Sequence, residues 1–156
     1  MTAVALGVLA VLLLACFATA VVPMGPPEAM VVALTVAATT SPEWAIAVAT
    51  TAAVGQSAGK LLVFLAIRSK VLRRARFLDR LLRNRLVTKV DSFDAKHPRH
   101  LAAVVGVSAL ISVPPLVVVS PMAGSTAMRP QLFLVSAFAG RLGRFGLLAF
   151  VPTLLW

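Results

Sequence analysis

Charge is scarce in this chain. Only 13% of its 156 residues are Asp, Glu, Lys or Arg, and just five of those are acidic. A soluble domain of this length needs a more polar surface, and 60% apolar residues with a mean hydropathy of +0.96 exclude one. The single cysteine, Cys16, lies inside an apolar run, which excludes a disulfide framework and reads as a small buried thiol. There is no Ser/His/Asp set, no usable catalytic cysteine and no glycine loop ahead of a Lys-Ser/Thr to cradle phosphate. The sequence therefore reads as a non-enzyme with no cofactor. No basic region precedes the first apolar run, so that run reads as a retained segment rather than a cleaved signal.

What is present is a repeat. Pro26-Pro27 and Pro114-Pro115 each precede a lone proline by fifteen residues, Pro42 and Pro130, and each lone proline precedes a glycine by thirteen, Gly55 and Gly143. Every pair is offset by 88 residues (114 − 26, 130 − 42, 143 − 55). Hydrophobic segments broken by Gly and Pro at corresponding positions are the sequence mark of a transporter-like fold with its binding site near the bilayer midplane. The expected architecture is an all-α polytopic membrane protein, an inverted repeat with two re-entrant helical hairpins and a cytoplasmic amphipathic helix. Within a single membrane domain, 1–67 form the first repeat, 68–100 a basic cytoplasmic segment and 101–156 the second repeat.

The spans follow from length. Ala3 to Val22 is twenty uncharged residues, enough at 1.5 Å each to cover a hydrocarbon core of roughly 30 Å. Prolines and a glycine then forbid continuous helix through Pro23 to Pro27. Ala29 to Ala38 is too short to cross and is followed by a polar turn with an interfacial Trp44. Ala45 to Ile67 is a full span. Leu101 to Ser112 covers only about half the bilayer before the second diproline, Leu116 to Met128 leads back past Pro121 and Gly124, and Gln131 to Val151 forms the last span, with Trp156 at an interface. Short arms at membrane depth are tolerated only where protein or a water-filled cavity covers their backbone. At this chain length that favours a homodimer.

The formal net charge of +10 sits mostly in one place: Arg68 to Arg99 holds eleven Lys/Arg against Asp79, Asp91 and Asp94, or +8. Within it, Val71, Leu72, Ala75, Leu78, Leu82, Leu86, Val90 and Phe93 form one helical stripe opposite the arginines. This predicts a helix lying on the membrane, on the cytoplasmic side by the positive-inside rule and drawn to anionic headgroups. A hydrophobic stripe with little aromatic interleaving argues against nucleic acid. Asp94, His97 and His100 do not make a metal site, because Pro98 interrupts any helix that would align them and no fourth ligand follows.

The strings Val22-Pro-Met-Gly-Pro-Pro-Glu28, Gly55-Gln-Ser-Ala-Gly-Lys60 and Val113-Pro-Pro-Leu-Val-Val-Val-Ser-Pro-Met-Ala-Gly124, followed by Phe138-Ala-Gly-Arg-Leu-Gly-Arg-Phe145, resemble the DedA family. These are also called SNARE-associated or VTT-domain membrane proteins, and the likeness is to the short bacterial members over roughly residues 20 to 150. The resemblance implies two inverted repeats, each with a re-entrant hairpin, in the inner cell membrane, and a role in moving phospholipid or polyprenyl-phosphate carriers between leaflets. Where many relatives place an acidic or arginine residue after the second-hairpin proline, this chain has Leu116-Val117-Val118-Val119, so no proton-coupling group carries over to that hairpin.

Candidate site residues are those that force charge into apolar surroundings, where ionisable groups mark pathways. Arg141 and Arg144 share a helix face at mid-span, and two guanidinium forks there can hold a lipid phosphate; the alternative is a basic stretch snorkelling to the interface. Glu28 is either an acidic helix start or a functional group, as a protonatable carboxylate or as a counter-charge to an arginine. Lys60 is either a site residue or a long stem reaching the cytoplasmic interface. The hairpin tips, Pro26, Pro27, Pro114 and Pro115 with Ser112 and Ser120, offer helix amides and hydroxyls to an anionic headgroup. Gly55, Gly59, Gly124, Gly140 and Gly143 are expected to pack helices closely. The leading reading is a small lipid transporter or scramblase whose two hairpins meet at mid-membrane. The alternatives are a non-transporting assembly or scaffold protein that recruits partners through its basic helix, and a holin-like pore, which the repeat disfavours.

Overall fold

The computed structural model describes residues 3–22, 26–37, 41–69, 98–113 and 115–155, with 98, 99 and 151–155 described in backbone only. Among the described residues every regular element is a helix: α1 (Ala3–Val21), α2 (Pro27–Ala37), α3 (Pro42–Arg68), α4 (Pro98–Ile111), α5 (Leu116–Ser125) and α6 (Pro130–Leu155). The helices α1, α3 and α6 are long and apolar enough to cross a membrane. The basic stripe over Ser69 to Phe93, the Asp94 and His97 positions, Pro114 and Trp156 lie outside the described residues.

Helix starts obey local chemistry. The chain before α3 reads Ser41-Pro42-Glu43, and the Ser41 hydroxyl accepts the Trp44 N–H at 3.2 Å, an N-cap followed by proline at the first helical position and an acid in the first turn. The same logic lets Pro98 open α4, so the helix begins three residues before the expected Leu101. Proline interrupts a helix from within but starts one without loss, because the first-turn N–H has no intrahelical partner anyway. Pro27 opens α2 and Pro130 opens α6 in the same way. The starts of α3 and α6 are 88 residues apart (130 − 42), the spacing of the sequence repeat.

The ends of α1, α2, α3 and α4 fall within one residue of the hydrophobic pattern, but α5 ends early. The expected second arm over Leu116 to Met128 stops at Ser125. There the Ser125 hydroxyl donates to the Met122 carbonyl and the Thr126 hydroxyl to the Ala123 carbonyl, both at 2.7 Å, and Thr126 Oγ1 accepts the Met128 N–H at 3.2 Å. Side-chain hydroxyls have taken the carbonyls that a further turn would use. The α4 helix ends at Ile111, where Ser112 adopts a left-handed φ of 62° and its N–H bonds the Ser108 carbonyl at 2.8 Å. The helices α4 and α5 pack against each other.

The chain gathers into two compact units, residues 1–59 with 141–156, and residues 60–140, so the long helices α3 and α6 each contribute to both. In the unit of residues 60–140, Phe64 and Phe133 stack at a centroid distance of 4.6 Å and interplanar angle of 24°, among Val105, Ala109, Val119, Ala123 and Ala137. Such a ring pair contributes about 0.5–1.5 kcal/mol beyond its burial. Lipid is as apolar as these side chains, so helices associate through close contact rather than through escape from water. The glycines supply that contact. A Cβ on Gly124 would sit 2.6 Å from the Phe64 carbonyl oxygen, and one on Gly140 would collide with the Gly106 carbonyl and approach Ala109 Cβ to 2.7 Å. The Arg68 guanidinium donates to the Met128 carbonyl at 2.6 Å, fixing the strand of chain between α5 and α6.

In the other unit, α1 packs on α2 and also lies directly on α3. A Cβ on Gly55 would meet the Leu13 carbonyl oxygen at 2.6 Å, and one on Gly59 the Ala20 Cβ at 2.6 Å. Cys16 is fully buried. Gly143 is exposed, so of the Gly140 and Gly143 pair only Gly140 is buried in a helix contact.

Candidate functional site

Two cations and one carboxylate converge in the unit formed by residues 1–59 and 141–156. Arg141 and Arg144 are three residues apart on α6 and therefore project from one face. Glu28 stands in the first turn of α2, immediately after Pro26-Pro27, where the helix N-terminus favours negative charge. Neither preceding proline has an N–H, so Glu28 carries the first amide of the helix. Its Oε1 lies 3.0 Å from Arg144 Nη2 and 3.7 Å from Arg141 Nη1. The two readings of Glu28, helix-start acid and counter-charge, thus describe one residue in both roles.

Burial differs across the cluster. The Arg141 side chain is 8% exposed, against 25% for Arg144 and 24% for Glu28. Arg141 is no snorkelling residue, since a snorkelling head must reach water. Its guanidinium carbon lies 5.9 Å from the centre of the Phe145 ring, a cation–π contact one turn along the same helix. Its Nε is buried with no hydrogen-bond partner. The three groups carry a formal charge of +1, from two guanidiniums and one carboxylate.

The remaining candidates are placed as follows. Lys60 belongs to the unit of residues 60–140 and is buried in α3. Pro26 is exposed just ahead of α2, and Pro115 is the residue that precedes α5. Ser112 forms the left-handed turn. Ser120 was expected to offer a donor at the tip; instead it is buried, and its hydroxyl donates to the Leu116 carbonyl at 2.7 Å within its own helix. A serine facing its own helix satisfies itself on the preceding turn when no better acceptor is near. His100 is exposed on α4, and the described residues hold no group of three metal-ligating side chains.

Pattern reading passed over a polar face on α3. Gln56 is buried and its Nε2 donates at 3.0 Å to Thr19 Oγ1 of α1, while Thr19 donates to the Cys16 carbonyl at 3.1 Å. Ser57 is buried beside it, its Oγ without a hydrogen-bond partner. Thr35 on α2 is buried and bonded to the Val31 carbonyl at 2.7 Å. Uncharged polar residues inside apolar runs were the available signal, since each needs a partner in lipid. On the outside of the same unit, α1 and α2 flank an apolar groove of about 610 Å³ whose walls include Val4, Val8, Val11, Met30 and Leu34.

The fold and this cluster together define an all-helical protein with helices long and apolar enough for a membrane and paired charge among them. No protein-family model, no curated protein and no solved structure matches the chain.

Proposed function

We propose that this protein is a small integral membrane transporter or scramblase that moves phosphate-bearing lipids between leaflets, and that Arg141, Arg144 and Glu28 form its headgroup site. In this reading α2, α4 and α5, at 11, 14 and 10 residues, are arms of two re-entrant hairpins in an inverted repeat, each too short for the roughly 20 residues that a crossing needs. The observation that carries it is the cluster itself: a nearly buried guanidinium with an unsatisfied Nε, held on a helix that is apolar on both sides of it. Charge at such a depth is costly and belongs to a pathway or a partner. Glu28 holds the two arginines partly compensated between substrates, and a phosphate joins it during transfer. The resemblance to the DedA family agrees with this reading, and so does the 88-residue repeat.

The test is leaflet exchange of a labelled phospholipid, and separately of a labelled polyprenyl phosphate, in proteoliposomes. The wild type accelerates exchange, and Arg141→Ala with Arg144→Ala abolishes most of the acceleration. Equal exchange in the double variant removes the arginines from the mechanism. No exchange by the wild type favours a non-transporting assembly protein.

A further inference from the structure

We infer that the cluster selects a singly charged phosphodiester over a doubly charged phosphomonoester, an inference that rests on the headgroup site proposed above. Among the described residues of this unit, the formally charged groups inside the helices are Arg141, Arg144 and Glu28, with Cys16 a buried thiol counted as neutral, while Glu43 is exposed at the start of α3. The formal balance is therefore +1, from two guanidiniums and one carboxylate. In a medium of low polarity an uncompensated charge is expensive, so the stable complex is the neutral one. A diester brings a single negative charge and closes the balance. A monoester brings about −1.5 to −2 near neutral pH and leaves the cluster net negative beside its own carboxylate.

The donor geometry points the same way. Both arginines approach one oxygen of Glu28, Arg141 through Nη1 and Arg144 through Nη2. The buried Nε of Arg141 remains without a partner. A guanidinium edge receives two oxygens side by side. A diester has two unesterified oxygens sharing one charge, which match one such edge. The third oxygen of a monoester, with the extra charge, would face Glu28. Glu28 is thus the specificity-determining residue: it subtracts one charge from the receptor and repels the second charge of a monoester.

The experiment compares thermal stabilisation of the purified full-length protein in detergent by two short-chain lipids with identical tails, phosphatidylglycerol as diester and phosphatidic acid as monoester. The water-soluble pair glycerophosphoglycerol and glycerol phosphate tests whether the ligand must be a lipid. The wild type binds the diester about tenfold or more tightly, in keeping with the weight of like-charge repulsion in desolvated sites. Glu28→Gln raises the formal balance to +2 and reverses the preference, whereas Glu28→Asp keeps it. Equal affinity of the wild type for both lipids, or an unchanged ratio in Glu28→Gln, overturns the inference while leaving a phosphate site in place. Binding of neither lipid, or binding undiminished in Arg141→Ala, removes the site and the inference together. Stabilisation by the soluble diester as strong as by the lipid upholds the charge selection and assigns it to a free phosphodiester. If Glu28→Gln does not purify, the wild-type ratio decides alone.

Discussion

Glu28 and Arg144 lie 3.0 Å apart, Oε1 to Nη2, although 116 residues separate them in the chain (144 − 28). The contact ties the first turn of α2 to the middle of α6 within one compact unit. It also explains how Arg141, three residues earlier and more deeply buried, is tolerated: the same carboxylate oxygen faces it at 3.7 Å. Three charges have become one mutually compensating set, and the predictions below follow from their unequal burial and from the close helix contacts around them.

Removing the shared carboxylate is the most damaging change at the cluster. Glu28→Ala leaves Arg141 buried without a counter-charge and is expected to cost about 3–5 kcal/mol. Arg144→Ala, at a quarter-exposed position, costs about 1 kcal/mol. Denaturation in detergent, followed by helical signal, ranks the two. The Glu28→Ala, Arg141→Ala double variant recovers part of the loss, because the orphan charge is gone. Equal costs for Glu28→Ala and Arg144→Ala would contradict the compensating role.

Close packing predicts a sharp contrast among glycines. Gly55→Val, set against the Leu13 carbonyl, and Gly140→Val, set against the Gly106 carbonyl, force helix backbones apart and are expected to lose about 1–3 kcal/mol or more. Gly143→Ala, at an exposed helical position, is neutral or slightly stabilising. Thermal aggregation midpoints of the three variants read the difference directly, and a Gly143→Ala loss as large as the other two would refute it.

The Gln56–Thr19 bond predicts an asymmetric pair. Thr19→Val takes away the acceptor and leaves a buried amide donor unsatisfied, at about 1–2 kcal/mol. Gln56→Leu removes the donor and leaves Thr19 its bond to the Cys16 carbonyl, so its cost is smaller, about 0.6 kcal/mol. The opposite ranking in unfolding experiments would show that the bond is incidental.

Trp44 gives a local probe. Its Nε1 donates at 3.1 Å to the Leu34 carbonyl in the last turn of α2, one of the carbonyls that a helix end leaves without an intrahelical partner. Trp44→Phe keeps the ring and loses the bond, costing about 1 kcal/mol. Hydrogen exchange at the end of α2 rises in this variant while the Gly55 and Gly59 contacts to α1 persist. Unchanged exchange there would mean that the indole does not hold that helix end.

The sequence by itself determined the all-helical class and the three helices long and apolar enough to cross a membrane, because these depend on composition and run length, whereas α3 and α4 start at Pro42 and Pro98, three residues ahead of the expected Ala45 and Leu101. It also named Glu28, Arg141 and Arg144, since charge in an apolar run stands out without any geometry. The end of α5 escaped it: Ser125 and Thr126 stop that helix through hydroxyl bonds that hydropathy does not register. Only the tertiary structure decided that Glu28 serves both arginines through one oxygen, that Ser120 turns inward, that Gln56 bonds Thr19, and that Gly143 faces outward while Gly140 meets a neighbouring backbone. Each of these is a pairing between segments distant in the chain or a choice of helix face. Such choices are made by which neighbour arrives, and no periodicity within one segment encodes its neighbour.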